Sequence, residues 1–182
     1  MRRLRNVSVR TKLYAIVALM VLDVAALLAA GAFGMWALSD LRAYVGGEGL
    51  WAKSQKDAVV DLQRYARSRD EADYRAYEAA LAVPLGDHRA RLALQQVPPD
   101  LEGADAGFLA GGNHPDDVRG MSLLFLRFRR VRYIAEAIVI WGRADALLVE
   151  LQGLGEALHA RVRARRPADG LLRRVDEVNG RL

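Results

Sequence analysis

The residues best able to do chemistry cluster between positions 107 and 141. Gly107, Gly111 and Gly112 precede Asn113-His114-Pro115-Asp116-Asp117. Backbone N–H groups at such a turn can cradle an anion, although the spacing matches no phosphate-loop fingerprint and two carboxylates would repel one. The competing reading is a helix start: Asn113 or His114 at the cap, Pro115 in the first turn, and Asp116 and Asp117 against the positive end of the helix dipole. Downstream, Arg127, Arg129, Arg130 and Arg132 alternate with Phe125, Phe128 and Tyr133. That mixture suits a carboxylate ligand or nucleic acid, and equally a solvated helix face. Trp141 reads as core or as one wall of a ligand cage. The candidate ligand or signalling residues are therefore Asn113, His114, Asp116, Asp117, Arg127, Arg129 and Trp141.

Catalysis has no comparable foothold. The chain has no cysteine, so disulfides, thiolate metal sites and cysteine nucleophiles are excluded. Its three histidines, His88, His114 and His159, are scattered, and none pairs with another at metal-ligand spacing. No Ser/His/Asp arrangement or carboxylate pair stands out. Neither cofactor nor metal is expected, and no enzyme activity is assigned to these 182 residues.

The elements that would position these residues begin with a membrane anchor. Arg2, Arg3, Arg5, Arg10 and Lys12 form a basic tail (residues 1–12) without an acidic residue. Leu13 to Leu38 is then almost continuously apolar, broken only by Asp23. As a helix it reaches about 39 Å at 1.5 Å per residue, enough to cross a hydrocarbon core of about 30 Å with some tilt. Flanking cations place the N-terminus in the cytoplasm, and Trp36 suits the far interface. The competing readings are a cleaved signal peptide, whose apolar stretch is typically shorter, and a buried soluble helix. Asp23 is either a polar contact between helices or a tolerated charge off the midplane.

The net charge of +5 and the pI of 9.9 do not indicate nucleic acid. The five tail cations account for the whole excess, whereas a nucleic-acid binder carries its basic footprint on the folded domain. Attraction to anionic lipid headgroups is the simpler use of such a tail.

Residues 39–182 read as helical throughout, rich in Ala, Leu, Arg and Glu without strand-like alternation. Gly46, Gly47 and Gly49 should loosen the helix leaving the span. A helix is expected from Leu50 to about Arg67, with Val59, Leu62 and Ala66 on one face. Ser68 or Asp70 caps the next, which ends before Pro84. Leu85 to Gln96 is a short amphipathic piece, and Leu101 to Ala110 is irregular, broken by Gly103 and Gly107. A helix runs from Pro115 to about Arg129. The longest extends from Tyr133 to Arg165, with Ile134, Ile138, Trp141, Ala144, Leu148, Leu151, Leu154, Leu158 and Val162 in one stripe. Pro167 and Gly170 break it, and Leu171 to Leu182 begins another helix that looks unfinished. The fold class is all-α: one transmembrane helix followed by an extracytoplasmic helical bundle.

The segment GFLAGGNHPDDVRGMSLLFLRFRRVRYIAEAIVIW, together with the single span, resembles the extracytoplasmic input region of bacterial membrane-anchored signalling proteins. These are the proteobacterial sensor histidine kinases of two-component systems, and the diguanylate cyclases or phosphodiesterases that share such regions. The likeness covers most of residues 10–182. It implies a homodimer in the inner membrane, a bulk that is periplasmic, and an unknown small ligand or periplasmic protein as stimulus. A second span and a cytoplasmic output domain would follow. A chemoreceptor would use the same input physics, and the rival class is a non-signalling membrane-anchored interaction protein.

Overall fold

The computed structural model describes residues 8–182, which form six helices: α1 (Val9–Ser68), α2 (Glu71–Gln95), α3 (Leu101–Ala110), α4 (Pro115–Phe128), α5 (Arg132–Arg163) and α6 (Asp169–Asn179). No strand occurs among the described residues. The chain divides into two units, Met1–Leu41 and Arg42–Leu182. Of the basic tail, Arg2, Arg3 and Arg5 lie outside the described residues.

The first unit contains the one helical segment, among the described residues, long and apolar enough to cross a membrane. It spans Val9–Trp36, with a mean hydropathy of 2.4 and none of its most apolar stretch buried within the chain. A helix apolar on every side and unburied suits lipid rather than water. Phe33 and Trp36 lie near one end with rings 5.6 Å apart. Asp23 is exposed near the middle of this segment.

The second unit is built around two apolar clusters. One gathers Val59, Leu62 and Tyr65 of α1, Tyr74, Tyr77 and Leu81 of α2, Leu148, Leu151 and Leu158 of α5, and Val175 and Val178 of α6. The other joins Ala90 and Leu94 of α2, Ala104 and Phe108 of α3, and Val118, Met121 and Phe125 of α4. Helix α2 thus feeds both clusters, which explains why it passes through Pro84. A proline inside a helix costs about 3 kcal/mol through one lost hydrogen bond and a clash. Burial of apolar residues on both flanks, and of Pro84 itself, offsets that cost.

The expected glycine breaks are also absent. Helix α1 continues through Gly46, Gly47 and Gly49. Leu101 to Ala110 is helical rather than irregular, capped by Asp100, whose carboxylate accepts from Gly103 N at 2.9 Å. At Gly47, Gly86 and Gly107 glycine serves close approach. A Cβ at Gly107 would lie 2.6 Å from Ala90 N, and one at Gly86 would strike the Ala110–Gly111 backbone. Helices α2 and α3 therefore meet backbone to backbone.

Helix ends follow local chemistry. Asp70 caps α2 by accepting from Ala72 N at 2.8 Å. His114 caps α4 through Nδ1, which accepts from Asp116 N at 3.2 Å, and Pro115 occupies the first turn. The α5 stripe is buried only in part. Leu148, Leu151, Leu158 and Val162 are core, whereas Ile134 and Trp141 remain 38% and 39% exposed.

Candidate functional site

The structure places the Gly-Gly-Asn turn against α1 and α2. Gly112 has φ +78°, a left-handed conformation that glycine adopts without strain, and a Cβ there would sit 2.8 Å from Leu50 of α1. Asn113 Nδ2 donates to Phe108 O and to Asp87 Oδ1, each at 3.0 Å. Its Oδ1 lies against Gly47, where a Cβ would approach to 2.8 Å. A Cβ at Gly111 would collide with the Asp87 carboxylate. Asn113 is thus not the α4 cap but the strut that fixes Asp87.

Asp87 opens a run of polar residues on α2. Burial pushes its carboxyl up to about 7; nearby Asp145 adds to the rise, and the Asn113 hydrogen bond opposes it. One turn on, Arg91 Nε donates to Asp145 Oδ2 of α5 at 2.5 Å, and Arg91 Nη1 donates to Gln95 Oε1 at 2.6 Å. His88 Nδ1 stands 3.0 Å from the same Asp145 oxygen, off the line of a hydrogen bond. Asp145 is only 6% exposed, and pairing with Arg91 is what makes a buried carboxylate tolerable there.

These groups border a cavity of about 290 Å³. Its polar lining is Glu48, Asp87, Arg91 and Asp145; Trp51, Phe108, Met121, Phe125, Ile140 and Trp141 supply most of the apolar wall. Ligand sites typically measure about 300–1,000 Å³ and combine apolar walls with a few placed polar groups, so this cavity suits a small molecule. The arrangement can hold an apolar body and pair an ionic head.

The candidate residues from the sequence separate accordingly. Trp141 lines the cavity, and Asn113 holds its carboxylate. His114 and Asp116 are exposed at the α4 start, and Asp117 is half-buried there, outside the cavity lining. Arg127 is exposed. Arg129 donates to Leu94 O at 3.0 Å, satisfying a carbonyl at the end of α2. Arg132 lies beside Glu136 at 3.4 Å and over the Tyr133 ring. The arginines therefore do not converge on one site.

Sequence reasoning missed Glu48, Trp51, Asp87, His88, Arg91 and Asp145. Two signals were present. Asp145 falls four residues after Trp141 and three before Leu148, a carboxylate on the face of an apolar stripe, where a partner is required. Asp87 and Arg91 share one face of α2 at a four-residue step. Against known proteins, no family model matches the chain, and neither a curated protein nor a solved structure is similar to it.

Proposed function

We propose that this chain is the signal-input region of a bacterial membrane signalling protein, foremost a sensor histidine kinase, with α1 anchoring a periplasmic helical bundle. The same input would serve a diguanylate cyclase, a phosphodiesterase or a chemoreceptor. The observation that carries the reading is the cavity of about 290 Å³ in a helical domain whose first helix also contains the membrane-length segment. The cavity draws its lining from α1, α2, α3, α4 and α5, so an occupant touches nearly every element of the domain at once. Binding that favours one packing of those helices shifts the population toward it, and shifts of about 1–2 Å are the usual currency of such switches.

A homodimer belongs to this reading. Val131, Tyr133 and Val139 are exposed apolar residues at or near the N-terminal half of α5, outside the cavity lining, and offer a second copy an apolar surface. Single cysteines at 133 and 139 should cross-link in membranes, and cysteines at the buried positions 148 and 151 should not. Placement is tested by reporter fusions after Leu38 and after Leu182. A periplasm-dependent reporter should be active at both junctions, and activity of a cytoplasm-only reporter at Leu182 would overturn the topology.

A further inference from the structure

The charge of the cavity lining is lopsided. Three carboxylates, on Glu48, Asp87 and Asp145, face one guanidinium, on Arg91. Arg91 is already committed through Nε to Asp145 and through Nη1 to Gln95. The cation of the site is thus satisfied inside the chain, and the Asp145 charge is satisfied with it. Asp87 is different. Its Oδ1 accepts from the neutral Asn113 amide, and Oδ2 takes no hydrogen bond among the described residues. The carboxylate is held in place by that amide and by the close approach of the Gly111 backbone, which only a residue without a Cβ permits. The lining that contains this fixed carboxylate also carries two indoles, Trp51 and Trp141. Indole is the aromatic ring that attracts cations best, and it also packs flat apolar bodies.

We propose that the cavity binds a small organic cation, an amine with an apolar or aromatic body, whose ammonium group pairs with Asp87 while its body packs against Trp51 and Trp141. This names the ligand class for the sensing role proposed above and rests on that reading. A carboxylate ligand of the same shape would meet Glu48 and Asp87, and the one guanidinium of the lining is already paired with Asp145. The raised Asp87 pKa agrees with the geometry: a buried carboxylate without a cation holds its proton up to about neutrality, and an arriving ammonium releases it.

The test is titration of the full chain in lipid nanodiscs, followed by tryptophan fluorescence and calorimetry, with phenethylamine as probe and 3-phenylpropionate as its anionic counterpart. Phenethylamine should bind saturably and at least about tenfold more tightly than 3-phenylpropionate. Asp87→Asn should weaken it by about tenfold or more while leaving the helical melt cooperative. If that variant fails to fold, the wild-type pH dependence decides. Asp87 accepts from the neutral Asn113 and lies near Asp145 of α5; Glu48 of α1 and Arg91 of α2 border the same cavity, and the neighbouring His88 stands beside Asp145. Affinity for phenethylamine should therefore rise between about pH 6 and about pH 8 as Asp87 ionises. Equal or tighter binding of 3-phenylpropionate, or amine binding indifferent both to pH and to Asp87→Asn, would overturn the cation assignment while leaving a ligand-binding input domain in place. Failure of both probes to bind would overturn the cavity as a ligand site, which is a separate outcome from failure of the membrane topology.

Discussion

Asp87 carries the sharpest consequence at the scale of single residues. Its carboxyl titrates near 7 in the folded chain, raised from an ordinary value of 3.8 by burial. A raised carboxyl pKa favours folding below the unfolded pKa, and the advantage is lost as pH climbs through the folded one. Stability attributable to Asp87 should therefore be greatest below about pH 4 and decline until about pH 7. Each pKa unit corresponds to about 1.4 kcal/mol, discounted here because the group keeps some exposure to solvent. Asp87→Asn, which has no charge to bury, should gain on wild type across that window in thermal melts, and a difference flat with pH would refute this. Asn113→Ala removes the amide that faces Asp87 Oδ1 and should cost about 1–3 kcal/mol. Arg91→Ala leaves Asp145 buried without its guanidinium and should cost about 3–5 kcal/mol, measured by denaturant unfolding. None of these partnerships was legible in the sequence, because Asn113 is 26 residues from Asp87 and Asp145 is 54 from Arg91. What was legible was local: the start of α4 at Pro115, with acidic residues in its first turn. Even there, the cap is the His114 ring and not the Asn113 amide.

Helices and their glycines set the next scale. Composition and periodicity made the all-helical class readable, along with the long α5 and the start of α4. They misjudged continuity. Glycine and proline were weighed by their intrinsic helix cost, whereas the fold uses them where two elements touch, which single-helix propensity does not register. The three glycines of α1 separate the two effects. Gly46 and Gly49 have open space where a Cβ would go, whereas a Cβ at Gly47 approaches Asn113 to 2.8 Å. Alanine at Gly46 or Gly49 should stabilise α1 by up to about 1 kcal/mol each. At Gly47 that gain is cancelled or reversed, and the turn holding Asp87 is displaced. At the α2–α3 crossing Gly107→Ala should cost about 1–3 kcal/mol, since the obstacle is the Ala90 backbone. Melting temperatures of the four variants check the order; a Gly47 variant as stabilised as its neighbours would show that the contact with Asn113 is unimportant.

Across the whole molecule, α1 contains a membrane-length apolar segment and also contributes to a helical domain with a bordered cavity. The membrane-length segment was legible because an apolar run of that length is a property of consecutive residues. The cavity was not, because it is assembled from five helices whose meeting depends on tertiary packing. The N-terminal part of the α5 stripe is only partly covered in the single chain: Ile134 remains 38% exposed, and Trp141, which borders the cavity, 39%. The central claim is that filling the cavity moves the helices around it. The most direct measurement is pulsed electron–electron resonance on the full chain in nanodiscs. Spin labels would replace Val60 of α1 and Val149 of α5, both exposed and outside the cavity lining. Phenethylamine would be added until the tryptophan fluorescence of the cavity saturates. The expected result is a displacement of the α1–α5 distance distribution by about 1–2 Å, reversed on removal of the amine. A saturated cavity with an unchanged distribution would contradict the account.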